Sequence, residues 1–404
     1  MTGKICRYRI RQYAFSRVLR LTEGRRPQMV TGSGSLMRLP ELLTGQGIQR
    51  VLLVTTKGFV RRGVIPSLLK ALEKEGITGI CFDQVMPDPE IACVEEGVFC
   101  YRRENCQAIA ALGGGSVIDC AKAIGARLAR PDRTIPQMKG VLKVIKKIPP
   151  LYAIPTTAGT GSEVTAAAVV TDMRNGTHYK YAVSDPVLIP HMAILDPALT
   201  VGLSGEMTAQ TGMDALTHAI EAYTNLFPSR YVRKTAVSAV QMIFENLPVV
   251  YRDGSNLRAR EKMLLASAYA GSAFTNNFVG YVHALAHAVG AMYGIPHGKA
   301  NAVILPYVLK AYGSAVYASL GRLADSIGIT GKAKEEKAKK FIAAIEQLRD
   351  DLEIPSGFIE LRKEDFPELI ARAMEEANPA YPVPVIWEKE TFLQVLEALE
   401  KGRK

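Results

Sequence analysis

Histidine is scarce in this 404-residue chain, six in all, and three of them crowd the stretch YVHALAHAVGAMYGIPHG, which holds His283, His287 and His297. His283 and His287 are spaced i, i+4, about one helical turn, so both imidazoles leave from one face of a helix. The same spacing joins Asp214 to His218 in TGMDALTHAIEAY. Each histidine alone is an ordinary core residue. Taken together, one carboxylate and several imidazoles on apolar helical segments, with His297 in a Pro-His-Gly turn, make a donor set for a divalent first-row metal, Zn²⁺ and Fe²⁺ being the natural candidates. Four histidines plus Asp214 exceed by one what a four-coordinate site needs, and His287 is the member expected to line a substrate pocket instead. The remaining two, His178 and His191, lie in strand-like or loop sequence without partners.

Two glycine-rich stretches add a second chemistry. ALGGGSVIDCAKAIG reads as a strand, a glycine turn and a helix start. Glycine lets the backbone approach a phosphate, and the N–H groups and dipole of a helix N-terminus favour an anion there. Asp119 suits the first turns of that helix, and Lys122 is expected to face solvent. IPTTAGTGSEVT sets Thr156, Thr157, Thr160 and Ser162 around Gly159 and Gly161, directly after the apolar strand PLYAIP. It therefore sits at the carboxyl end of a strand, where open α/β sheets bind ligands. A metal with an open position beside a pyridine nucleotide points to one reaction. The metal stabilises an alkoxide and a hydride passes from the carbinol carbon to the nicotinamide, the reverse reducing an aldehyde.

The elements that must position these groups follow from periodicity. QRVLLVTTKG and ITGICFDQV read as strands, GVIPSLLKALEKEG and IACVEEGVFCYRREN as helices, and CQAIAALGGG as the next strand, a β-α-β-α-β-α half of the nucleotide-binding type. Beyond Thr200, β-branched alternation gives way to Ala, Leu and Glu at helical spacing. An α/β domain over 1–199 and an all-helical domain over 200–404 are expected. RYRIRQYAF alternates like a strand, so the Arg-rich N-terminus is read as a folded arm able to pair with a partner's sheet rather than as a transit peptide.

Hydrophobic content of 48% with 22% charged residues excludes a disordered chain. No apolar run approaches a bilayer-spanning length. The net charge of +11 is scattered and carries no base-reading module, so no nucleic-acid partner is expected. The six cysteines form no C-x-x-C pair and read as reduced, mostly buried thiols of a cytoplasmic protein.

GGGSVIDCAKAIG, PTTAGTGSEVT, DALTHAIEAY and VHALAHAVGAMYGIPHGKANAVILP occur in the order found in the iron-containing (group III) alcohol dehydrogenase family, which the chain resembles from about residue 28 to ANPAYPVP. The resemblance implies an N-terminal Rossmann-like α/β domain and an all-helical C-terminal domain, the dehydroquinate synthase-like fold. It implies metal ligands Asp214, His218, His283 and His297, with His287 a catalytic non-ligand. The pyrophosphate would lie on Gly114, Gly115 and Ser116, and Asp88, Asp119, Thr156, Thr157, Thr160 and Lys180 would complete the cofactor site. Fe²⁺ is the implied ion, with Zn²⁺ compatible, and the implied substrates are primary alcohols or aldehydes in a homo-oligomer. Where NAD-preferring members often end the first main strand with Asp, this chain has Thr56, which removes a repulsion against a 2′-phosphate and leaves both NADP and NAD open. Phe274, Phe278, Val279 and Tyr281 are candidate pocket residues. Glycerol dehydrogenase-like and dehydroquinate-synthase-like enzymes are the nearest alternatives, and a nucleotide-free hydrolase would leave both glycine-rich stretches unexplained.

Overall fold

The computed structural model describes residues 2–174 and 177–402. They form two compact units: residues 24–202 on one hand, and residues 1–23 together with 203–404 on the other.

In the first unit the chain runs β1 (Gln28–Thr31), α2 (Leu39–Thr44), β2 (Arg50–Val54), α3 (Lys57–Arg61), α4 (Val64–Lys74), β3 (Thr78–Phe82), α5 (Ile91–Arg103), β4 (Ala108–Gly113), α6 (Gly115–Ala129), β5 (Gly140–Val141), β6 (Leu151–Pro155), β7 (Ala167–Arg174), β8 (Thr177–Ser184) and β9 (Met192–Leu195), after a helix α1 (Thr2–Thr22) that belongs to the other unit. Six strands make a parallel sheet in the order β1-β9-β6-β4-β2-β3. Its central strands are apolar on both faces, as a sheet covered by helices on both sides must be. Leu52, Val54, Ile109, Ala111, Leu151 and Ala153 join the core on one face, and Val51, Leu53, Ala108, Ala110, Tyr152 and Ile154 the core on the other. A second, three-stranded sheet has the order β5-β8-β7, a feature that the strand-like stretches of the sequence did not reveal.

The second unit is helical: α7 (Gly205–Thr224), α8 (Arg230–Arg252), α9 (Leu257–Asn277), α10 (Tyr281–Tyr293), α11 (His297–Tyr312), α12 (Ser314–Ser326), α13 (Lys334–Asp351), α14 (Phe366–Ala377) and α15 (Lys389–Lys401). From Thr208 onward nearly every residue of α7 is buried, so this helix runs through the core with α8, α9 and α11 packed around it.

Three expectations are corrected. RYRIRQYAF is helical, within α1, and groups with the helical unit rather than with the α/β domain expected over 1–199. Long-range bonds explain this: Arg9 donates to the carbonyls of Val383 and Pro384, and Gln12 to those of Pro379 and Tyr381. Lys122 is fully buried instead of solvent-facing. Of the six cysteines, none disulfide-bonded, only Cys106 and Cys120 are buried, while Cys6 and Cys81 are exposed. No helix among the described residues is long and apolar enough to cross a membrane.

Candidate active site

Asp214 and His218 lie on α7, His283 and His287 on α10. The chain leaves α10 through Gly294, whose φ of +69° is the left-handed helix stop that glycine favours. Three residues later His297 opens α11, so it stands at a helix start, not in the turn that its Pro-His-Gly context suggests. One oxygen of Asp214, Oδ1, is 3.8 Å from His283 Nε2 and 3.4 Å from His297 Nε2. One ligand atom from each of these three residues falls within 4.8 Å of the others. His218 is adjacent: its Nδ1 is 3.9 Å from Asp214 Oδ2, and its ring stacks between Phe274 at 4.3 Å and His283 at 4.5 Å.

Asn301, one turn along α11 from His297, supplies the hydrogens amid these lone pairs. Its Nδ2 donates to Asp214 Oδ1 at 2.7 Å and stands 3.1 Å from His297 Nε2 and 3.3 Å from His283 Nε2. Its own Oδ1 is buried without a partner. Burial lowers the pKa of His283 well below the usual imidazole range and that of His297 in the same direction, which keeps both rings neutral with lone pairs to donate. A buried carboxylate and neutral imidazoles converging on one point fit a divalent ion.

Behind them, Glu221 fixes His283. The imidazole Nδ1 lies 2.5 Å from Glu221 Oε2, and the Val282 N–H donates to Oε1 at 2.7 Å. His287 stands beside the cluster, its ring stacked on that of His297 at 4.9 Å and 16°, with Nδ1 2.7 Å from Glu376 Oε1. Glu221 was readable in principle, since positions 214, 218 and 221 share one helix face. Glu376 was not, because it arrives from 89 residues away.

The glycine-rich stretches meet in the α/β unit. Gly113 and Pro155 pair across the ends of β4 and β6, and the Thr156 N–H donates to the Gly113 carbonyl at 3.0 Å. A Cβ on Gly115 would lie 2.8 Å from Thr160 Cγ2, and one on Gly114 would lie 3.6 Å from Thr157 Oγ1, so Gly115 is required by close approach. Ser116 Oγ accepts from the Asp88 N–H at 3.4 Å, and Asp88 Oδ2 pairs with Lys180 Nζ at 2.6 Å. Asp88, Gly114, Gly115, Ser116, Thr156, Thr157, Thr160 and Lys180 are thus brought to one end of the sheet. Asp119 is employed inside the protein: its carboxylate accepts from Ser162 Oγ and from the Val169 N–H. Lys122 Nζ donates to Ser162 Oγ, to the carbonyls of Thr165 and Ala167, and to Thr165 Oγ1. Together these two side chains, on successive turns of α6, pin the TAGTGSEVT loop. Of the candidate pocket residues, Tyr281 is fully buried against Trp387 and Phe392 and is core. Phe274, Phe278 and Val279 are partly accessible.

Residues 27–197 match the family described as iron-containing alcohol dehydrogenase, and residues 208–399 match the Fe-containing alcohol dehydrogenase family, C-terminal. The chain belongs to the iron-containing alcohol dehydrogenase family. It is accordingly an NAD(P)-dependent oxidoreductase of the alcohol dehydrogenase and aldehyde reductase type. Family members similar to it include a 1,3-propanediol dehydrogenase from Klebsiella pneumoniae, 39% identical over 82% of this chain and 87% of that protein. An NADPH-dependent butanol dehydrogenase from Clostridium saccharobutylicum is 35% identical over 86% of this chain and 88% of its own. Among solved structures, an alcohol dehydrogenase from Oenococcus oeni superimposes with a TM-score of 0.88 at 31% identity, covering 93% of this chain and 98% of its own.

Proposed function

We propose that Asp214, His218, His283 and His297 hold one divalent ion, Fe²⁺ in the native enzyme with Zn²⁺ also accommodated, and that the chain interconverts primary alcohols and aldehydes. The observation that carries this reading is the convergence of Asp214 Oδ1, His283 Nε2 and His297 Nε2, one ligand atom from each lying within 4.8 Å of the others. His218 joins them as the fourth ligand, i, i+4 from Asp214 on α7. Bound there, the ion supplies Lewis acidity at the substrate oxygen. A bound nicotinamide would supply or take the hydride. The chain's own residues orient and move protons: Glu221 holds His283 in the tautomer whose Nε2 lone pair faces inward, and His287, with 46% of its side chain exposed, exchanges the hydroxyl proton as the catalytic acid–base group.

In the α/β unit, Gly114, Gly115 and Ser116 at the start of α6 receive the pyrophosphate. Asp88, Thr156, Thr157, Thr160 and Lys180 line the rest of the cofactor site, and Asp119 acts on it through Ser162. Thr56, extended and leading into α3, carries no carboxylate against a 2′-phosphate, and Lys57 follows it, so the site accepts NADPH as well as NADH. Phe274, Phe278 and Val279 favour an unbranched, apolar substrate. The protein works as a cytoplasmic homo-oligomer.

Metal analysis of purified protein tests the assignment. One ion per chain is expected, with its loss in Asp214→Asn and His283→Ala. Full occupancy in both variants would refute it.

A further inference from the structure

The carboxylate beside His287 has no role in the reading above. Glu376, at the end of α14, accepts at Oε1 from His287 Nδ1 at 2.7 Å, and the Tyr381 hydroxyl donates to the same oxygen at 2.8 Å. An ionised carboxylate only accepts hydrogen bonds, so Nδ1 carries the hydrogen and Nε2 presents its lone pair. Tyr381 belongs to the segment after α14 that α1 straps down. Gln12 Nε2 donates to the carbonyls of Pro379 at 3.1 Å and Tyr381 at 2.8 Å, and Arg9 donates to those of Val383 at 2.7 Å and Pro384 at 3.1 Å. The ring of Phe278 lies 6.1 Å from Tyr381 and 5.5 Å from Phe15 of α1. The residues of α1 lie outside the family match, which begins at residue 27.

We propose that Glu376 is a positioning residue for His287, its carboxylate fixing the Nδ1–H tautomer and the ring orientation, and that Tyr381 and the strapping helix α1 hold that carboxylate in place. The inference rests on the catalytic assignment of His287 above. A ring with its hydrogen on Nε2 cannot accept a proton there, so loss of Glu376 lowers the competent fraction of His287 without removing a metal ligand or a substrate contact. Glutamine at this position still offers an amide oxygen to Nδ1–H, and alanine offers nothing.

The test uses Zn²⁺-loaded full-length protein with ¹⁵N-labelled histidine, whose ring shifts report the tautomer, alongside steady-state oxidation of 1-butanol. Glu376→Ala is expected to give a second His287 tautomer and to lower kcat by about 10-fold or more, the scale for removal of such a supporting group, with KM and metal content unchanged. Glu376→Gln is expected to keep the wild-type tautomer and recover most of kcat. Arg9→Ala/Gln12→Ala is expected to shift the His287 resonances in the direction of Glu376→Ala. Wild-type ¹⁵N shifts and wild-type kcat in Glu376→Ala would overturn the proposal. A His287→Ala variant separates the two claims: unchanged kcat there would sink the catalytic assignment of His287, whereas a large loss there with none in Glu376→Ala would sink only the role of Glu376.

Discussion

Replacing Glu221 by Gln changes one atom and tests how the metal site is built. Hydrogens point at both carboxylate oxygens, among them the His283 Nδ1–H toward Oε2 at 2.5 Å and the Val282 N–H toward Oε1 at 2.7 Å, and the backbone N–H groups of Gly280 and His283 also face the carboxylate. Glutamine has one oxygen and one NH₂, so it can accept on one side only. If its oxygen faces His283, the buried Val282 N–H meets another donor. If its oxygen faces Val282, the NH₂ faces His283, whose Nδ1 must then accept, moving the ring hydrogen to Nε2 and blocking the ligand. The residue cannot slide aside, because the backbone at Gly280 stands so close that a Cβ there would lie 2.7 Å from Glu221 Oε1. Leaving a buried donor unpaired costs about 1–3 kcal/mol, and loss of a carboxylate behind a ligating histidine weakens binding by about 10–100-fold, or about 1.4–2.8 kcal/mol. Competition between stripped protein and a chelating indicator for Zn²⁺ measures this directly. A Kd within about twofold of wild type, in a variant that folds normally, would refute the reasoning.

Other consequences follow from the packing. A Cβ on Gly298, the second residue of α11, would overlap the Gln210 carbonyl oxygen of α7 and lie 2.7 Å from its carbonyl carbon. Gly298→Ala should therefore push His297 away from Asp214, at a cost of about 1–3 kcal/mol, and metal occupancy should fall in step with the melting temperature. Glu163, 1% exposed with an unpartnered Oε1, is pushed by burial to about 7 from 4.5. Because the folded pKa is raised, the stability tied to the protonated carboxyl is full below 4.5 and lost as pH rises through 7. The isosteric Glu163→Gln should gain on wild type by up to about 3 kcal/mol between pH 4 and pH 8, read as the difference in denaturation midpoints; a constant difference would contradict it. Thr56→Asp should restore a carboxylate at the end of β2 and weaken NADPH relative to NADH by about 10-fold or more, as measured by nicotinamide fluorescence.

The parallel sheet was legible because its buried strands are short β-branched runs punctuated by glycine, and α4, α5 and α7 to α10 because their apolar residues recur at helical spacing. The ligand candidates were legible for the same reason: i, i+4 pairs lie on one face of whatever helix forms. What escaped is what tertiary contact decides. Alternation of arginine and apolar residues in α1 imitates a strand, yet the carbonyls of residues 379–384 hold it as a helix. Lys122 looks like a solvated helix residue until four oxygen acceptors converge on its ammonium. His297 follows Pro296 in what reads as a turn, and the structure makes that proline the residue preceding a helix. Asn301 and Glu376 are ordinary polar residues in the sequence, and only folding places their side chains among the histidines.

The central claim is that redox turnover depends on an ion held by the α7, α10 and α11 side chains. Its most direct test is butanal-dependent oxidation of NADPH and NADH by protein stripped with chelator and then reloaded with Fe²⁺ or Zn²⁺. The account predicts no turnover in stripped protein, recovery on reloading, and none in His283→Ala under either condition. Equal turnover before and after reloading, or an active His283→Ala, would contradict it.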